Sequence, residues 1–483
     1  MLTKLIDILL ILLLIFLPLA LGAVHTWSIT IFAIAAILLF NLVIFQPDFS
    51  FKKLFRFPVI TVSIIFLAYL IFQIIPLPQA VLKAISPHTY ALYKEFSLTY
   101  AALGAWRPLS VYPWLTISEL IKLVSYGLIF IVILYRAVLN TRSRQDTRDI
   151  EHKTLSYLRL GCLTGILAIL IHSFVDFNLH VTANAFYFTV LLGMAVALAG
   201  KEEDIDRSFI FKIINAIIII GFIIAMFGIV HKLSGVKNIY WLIKKDGSHF
   251  GPYVNYDHYA GFMSMCASLA IASFMAKIRF SSFFLIKGFR DKLLWFSSKE
   301  ASVTIRYFFY AIIMTGSIFY SSSRGGIMSF AIALFIFFFF LIIRTRKSRR
   351  GRLIFFFILI ALLSGIIASW IGPDRTLAKF KQLNSVVRSV IHESSILSEM
   401  RPDIWQDTNR ITRDFPVLGS GFGTFPSILP KYRTHEWRGE FLRYAHSDYL
   451  QLVSETGIIG LFFIIGFLIY FVRLYILTVR KLN

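Results

Sequence analysis

Apolar stretches of about 15–24 residues recur along most of the chain, nearly all long enough to cross a bilayer as a helix. They fall at 4–22, 27–46, 58–76, 116–139, 155–172, 183–200, 209–231, 258–277, 306–320, 326–343, 353–371 and 449–472. Only one extended polar segment interrupts them, at 372–447, immediately before the last span. The pattern predicts an all-α, polytopic transmembrane bundle of about twelve spans. Its expected parts are spans 1–11 with short loops over residues 1–371, a mainly helical extracytoplasmic loop domain over 372–447, and the last span with a basic tail over 448–483. Within the loop domain, the periodicity from Thr376 to Val390 predicts one of two short helices.

The first run begins like a signal peptide, with Lys4, an apolar core and Ala20-Leu21-Gly22-Ala23. Retained as a helix, it closes the topology with both termini in the cytoplasm. The short basic loops then all lie inside: Lys52, Lys53 and Arg56; Arg142 to Arg148; Lys277 to Lys299; Arg344 to Arg352; and the tail from Arg473 to Lys481. The opposite orientation puts every one of them outside.

Composition sharpens this picture. The 483 residues are 57% hydrophobic and 16% charged, where a soluble chain carries about a quarter charged residues. A net charge of +23 could suggest nucleic acid, but its concentration in short loops is what membrane orientation requires, so no nucleic-acid partner is expected. Cys162 and Cys266 sit inside apolar runs and read as small core residues.

Four clusters fall on the outer face. Ser321-Ser322-Ser323-Arg324-Gly325-Gly326 joins two apolar helices, and its glycines suit a sharp reversal. An arginine so near hydrocarbon is either a functional group or a snorkelling anchor. Arg401-Pro402-Asp403-Ile404-Trp405 opens an amphipathic stretch through Arg410 and Arg413, followed by Gly419-Ser420-Gly421-Phe422-Gly423-Thr424-Phe425. Alternating glycines suit a loop pressed against backbone or ligand; without a following Gly-Lys-Ser/Thr this is not a P-loop. His446 precedes the last span, where Asp448 and Gln451 resemble a capping box. A helix N-terminus there favours an anion such as phosphate. The fourth cluster is Phe250 to Gly261, with His249, Asn255, Asp257 and His258. Its spacing fits a helix cap or a substrate-shaping loop better than a metal site. Without paired aspartates to hold a cation beside a diphosphate, arginines must stabilise such a leaving group, and guanidinium does so in a fork.

In order and placement these clusters resemble the O-antigen ligase and O-antigen polymerase superfamily, bacterial membrane glycosyltransferases of the GT-C type. The marks are Ser323 to Gly326, Arg401 to Trp405, Gly419 to Phe425 and His446 to Gly457, with Asn255 to Gly261 and the region from Leu77-Pro78 to Tyr93 also similar. The resemblance implies an inner-membrane enzyme without a metal or other cofactor. It inverts the anomeric centre as it moves glycan from a polyprenyl (undecaprenyl) diphosphate donor to a glycan, lipid A-core or other hydroxyl acceptor at the periplasmic face. His446 would be the general base, with Arg324 and Arg401 holding the leaving diphosphate. Ser323, Gly325, Asn255, Arg410, Arg413, Gly421, Gly423 and Glu455 would contact substrate. Ligase, repeat-unit polymerase and protein O-glycosyltransferase share donor and mechanism, and the ligase reading leads. A lipid-linked glycan flippase is the rival from another class, although transporters tend to show internal repeats or mid-membrane charge. Here no clear repeat is seen and most spans lack mid-helix charge, Asp7 and Lys122 lying towards span ends.

One departure stands out. Ile171-His172-Ser173-Phe174-Val175-Asp176-Phe177-Asn178-Leu179-His180-Val181-Thr182-Ala183-Asn184-Ala185 resembles a stretch that relatives carry after the His446-type motif. Here it lies in a hairpin, 152–200, that enters and leaves on the cytoplasmic side. Such a unit can move between cytoplasmic positions without inverting any other span, and could dock in its usual place.

Overall fold

The computed structural model describes residues 2–96, 105–139, 149–200, 205–244, 249–279, 281–284, 286, 288–345, 347–371, 396–434 and 442–482. The helix expected from Thr376 to Val390 and the basic loop at Arg142 to Arg148 lie outside the described residues.

All twelve expected spans are helices. They are α1 (Leu2–Leu19), α2 (Thr26–Ile44), α3 (Pro58–Phe72), α4 (Pro113–Leu134), α5 (Asp149–His172), α6 (Thr182–Ala197), α7 (Arg207–Leu233), α8 (Tyr256–Arg279), α9 (Lys299–Ser321), α10 (Arg324–Arg344), α11 (Lys347–Ile371) and, after two helices of the outer segment, α14 (Asp448–Arg480). Among the described residues, nine helices are long and apolar enough to cross a membrane, while α3 and α6 are shorter. The chain is a multi-pass membrane protein. The apolar run at 58–76 overshoots α3 because Pro76 ends the helix and pairs instead with Pro108 in a two-stranded ribbon, Pro76–Leu77 against Arg107–Pro108. The outer segment contributes α12 (Ile396–Asp414) and α13 (Phe425–Tyr432).

The hairpin α5–α6 forms the centre of the bundle. Every residue of α6 except Phe188 is buried. Helix α8, itself almost wholly buried, lies against α5 across Gly161 and Gly165. A Cβ on Gly161 would stand 2.5 Å from the Ala272 Cβ, and one on Gly165 3.0 Å from the Met265 Cα. A Gly-x-x-x-Gly stripe lets two membrane helices approach this closely, so that packing takes over where no hydrophobic drive separates protein from lipid.

Side-chain contacts sort the helix ends into two faces. At one face Arg136, just past α4, donates to Asp7 of α1 through Nε (2.8 Å) and Nη2 (3.3 Å), and to Asp206 before α7 through Nη1 (3.4 Å). Lys212 of α7 adds a 2.7 Å bond to Asp7. A buried guanidinium is tolerable only when paired in this way. The opposite face gathers the far ends of α5, α8 and α10 with α12 and the start of α14, and there the candidate site lies.

Candidate functional site

The start of α14 fixes the site. Its N-cap is Ser447, whose Oγ accepts from the Leu450 N–H at 3.4 Å. The expected capping box on Asp448 and Gln451 does not form, since the cap falls one residue earlier and Gln451 Oε1 accepts from the Ala445 N–H instead. The Asp448 carboxylate has better partners: His180 Nδ1 at 2.7 Å and the Leu179 N–H at 3.1 Å. The Asp448 N–H in turn donates to the Ser173 and Asp176 carbonyls at 3.0 and 3.3 Å. Protein groups thus occupy the helix end where an anion was expected, and they come from the loop of the displaced hairpin. The hairpin docks beside His446.

His446 itself has φ +52, a left-handed conformation that costs about 1–3 kcal/mol for a residue with a Cβ. The surroundings hold it there. Trp405 Nε1 of α12 donates to the Ala445 carbonyl (3.0 Å), and the Ala445 N–H donates to Gln451 Oε1 (3.0 Å). The His446 ring packs edge-on against Phe177 at 5.0 Å, and Phe177 stacks on Tyr444 at 4.3 Å. His446 Nδ1 lies 3.7 Å from Asp176 Oδ1, and His258 Nε2 lies 3.9 Å from Asp176 Oδ2.

The second half of the site is the start of α10. The turn from α9 is made by Ser322, at φ +65, and not by the glycines as the sequence suggested. Gly325 and Gly326 lie inside α10, where their smallness serves packing: a Cβ on Gly325 would meet His172 Nε2 at 2.9 Å, and one on Gly326 would meet the Ala260 Cβ at 2.4 Å. Ser323 caps α10 by accepting from the Gly326 N–H at 3.0 Å while its hydroxyl donates to Asp257. Asn255 caps α8, its Oδ1 accepting from the Asp257 N–H at 2.8 Å. Arg324, on the first turn of α10, and Arg401, on α12, both act with their charge on Tyr256; Arg401 also acts on Asp257 and His172. Two guanidiniums and the N-terminus of α10 thus lie at the same end of the bundle as His446, groups of the kind that suit a diphosphate.

The remaining expected contacts fall elsewhere. Arg410 pairs with Asp407 at 3.7 Å, and Arg413 is exposed. Gly419, Gly421 and Gly423 all have positive φ and press on protein: their added Cβ atoms would meet the Glu455 backbone at 2.2 Å, Ser110 at 2.5 Å and Glu119 at 2.4 Å. Glu455 is buried beneath this loop, accepting from the Gly423 N–H (2.8 Å), the Phe425 N–H (3.1 Å) and Gln451 Nε2 (3.2 Å). The loop also mends a break in α14 at Gly457 (φ 62, ψ −155). Ser420 and Gly421 donate to the Ser454 and Glu455 carbonyls, and Ile458 donates to the Pro416 carbonyl. Gln73, at the end of α3, ties the two together by bonds to Leu418, Phe422 and Glu455.

Residues 309–465 match a family model described as O-antigen ligase. That stretch holds Arg324, Arg401 and His446. The match, over about a third of the chain, supports the O-antigen ligase and polymerase superfamily. No curated protein and no solved structure matches. The family supports a ligase- or polymerase-type role in O-antigen assembly, in a membrane, with a lipid-linked glycan and a polysaccharide acceptor. The matched O-antigen ligase stretch does not include the hairpin, yet the hairpin supplies His172, Asp176 and His180 to the same site. Asp176 is the residue that sequence reasoning did not single out. Its signal is a carboxylate between two histidines in a short loop joining two apolar helices.

Proposed function

We propose that the protein is an inverting glycosyltransferase, ligase-like, that moves glycan from a polyprenyl diphosphate to a hydroxyl acceptor without a metal. The reading is supported above all by the placing of His446, Arg324 and Arg401 at one end of the bundle, where a charged leaving group and a proton acceptor are needed together. In the step proposed, His446 takes the proton of the acceptor hydroxyl, the oxygen bonds to the anomeric carbon, and the bond from that carbon to the donor phosphate breaks. The diphosphate leaves with the electron pair, its charge held by Arg324, Arg401 and the first turn of α10. With both termini in the cytoplasm, the site lies on the outer face of the inner membrane, where lipid-linked glycan is finished.

The broken helix α14 invites comparison with a transporter, whose binding sites sit at such breaks. Here the Pro416 to Gly421 backbone occupies the break, which favours the enzyme.

Purified protein in nanodiscs, given a lipid-linked glycan and an acceptor, tests the reading. His446→Ala is expected to abolish product while leaving folded protein and donor binding intact; full turnover in that variant rules out the proposed base. In the native host, deleting the gene separates the two activities. Lipid-linked polymer with bare anchors indicates a ligase, and anchors with single repeats indicate a polymerase.

A further inference from the structure

We infer that Asp176, on the loop of the α5–α6 hairpin, is the positioning carboxylate of His446: it holds the Nδ1 side of the ring and leaves Nε2 to meet the acceptor hydroxyl. The inference rests on the reading of His446 as the base and deepens it.

Four observations carry it. First, His446 Nδ1 and Asp176 Oδ1 face each other at 3.7 Å, and both are buried atoms with no hydrogen-bond partner. An unpaired polar atom in a protein interior is costly, and here each is the other's remedy. The gap exceeds a formed hydrogen bond, as catalytic pairs often do before substrate closes them. Second, the spacing is set by backbone. The Asp448 N–H binds the carbonyl of Asp176 itself, two residues from His446, so loop and base move as one piece.

Third, Asp176 stands among three imidazoles. Burial pushes its carboxyl up, but His446, His258 and His172 together outweigh that and bring it below the ordinary carboxylate range. The other charged groups facing this cluster are Asp257 of α8, Asp448 of α14 and Arg401 of α12. Fourth, only one of the imidazoles near Asp176 can serve. The His258 side chain is 5% exposed and lies behind the Phe177 ring at 4.7 Å, whereas the His446 side chain keeps 20% exposure with Nδ1 turned inward. The exposed part of the ring is therefore the side opposite Asp176. A buried carboxylate that orients an imidazole and steadies its charge as a proton arrives is worth about 10²–10⁴-fold in turnover.

The test uses the full-length protein in nanodiscs with lipid-linked donor varied up to saturation. Asp176→Asn, which keeps size and loop contacts, is expected to lower kcat by about 10²–10⁴-fold with donor KM little changed. Asp176→Glu restores part of the loss. In the His446→Ala background, Asp176→Asn is expected to add nothing, because a group that acts through another is silent once that other is gone. Unchanged kcat in Asp176→Asn, or a further loss in the His446→Ala background, overturns the inference. If His446→Ala is itself fully active, the base reading fails first. If His446→Ala is dead and Asp176→Asn is normal, only the positioning role fails.

Discussion

At the scale of single residues, the site is built from groups that the surroundings hold in unfavourable states. His446 sits at φ +52 and Ser322 at φ +65, and Gly419, Gly421 and Gly423 provide three further left-handed positions. Gly419 shows the cost of disturbing this. A Cβ there would lie 2.2 Å from the Glu455 carbonyl carbon and the Thr456 nitrogen, which are backbone atoms unable to yield. Gly419→Ala is expected to cost at least about 3 kcal/mol, seen as loss of monodisperse protein on size exclusion. His180 gives a second prediction. Burial lowers the pKa of its ring, but the hydrogen bond to Asp448, with the charges of Asp448, Glu119 and Glu455, more than reverses this and raises it. A raised histidine pKa stabilises the fold fully below its unfolded value of about 6.5 and stops doing so as pH climbs through the folded value. Thermal unfolding should therefore fall from about pH 6 upward, and His180→Gln should flatten the slope. A steeper slope in that variant counts against the pair.

The sequence made Arg324 and His446 visible as charged or titratable residues beside apolar runs, and Arg401 visible at the opening of an amphipathic stretch. The partners of His446 were harder to read. Asp176 is 270 positions away in the chain, and nothing in its own neighbourhood says which helix end it faces. The role of the alternating glycines was legible only to the point of a loop pressed against something. That the something is the backbone of α14 needed the Gly457 break, which an unbroken apolar pattern conceals.

At the scale of elements, hydrophobic runs located a helix at every expected span, although α3 and α6 are shorter than the crossing helices. Their mutual packing was not in that signal. The Gly161 and Gly165 stripe on α5 lies within a run read simply as apolar, and its meaning appears only against Ala272 and Met265 of α8. Replacing Gly161 by leucine is expected to destabilise the protein by roughly 1–3 kcal/mol through overpacking, measured as a lower unfolding temperature in detergent. An unchanged unfolding temperature would mean that α5 and α8 are free to separate. Helix ends carried the least readable information. The capping residue of α14 is Ser447, with Asp448 drawn off to His180, a choice made by tertiary contact.

At the scale of the whole molecule, the hairpin is core and wall of the proposed site at once. Deleting residues 152–200 is therefore expected to abolish accumulation of the protein, not merely its activity. Placing the same hairpin after the C-terminal tail should restore both. In the structure the lower part of α5 already lies along the end of α14, with Arg159 Nη2 reaching the Leu474 carbonyl at 3.5 Å. Immunoblotting of membranes and glycan profiling check the two outcomes together, and a permuted chain that accumulates but makes no product would show that order along the chain matters to the chemistry.

The helical pair carries a rule of parity. Two crossings sum to none, so a segment that departs from and returns to one side of a membrane can be spliced into any loop on that side, and every other helix keeps its direction. Odd numbers of crossings have no such freedom. For a site assembled from several helix ends, the linear order of its parts is then a matter of ancestry, while their meeting point is a matter of physics.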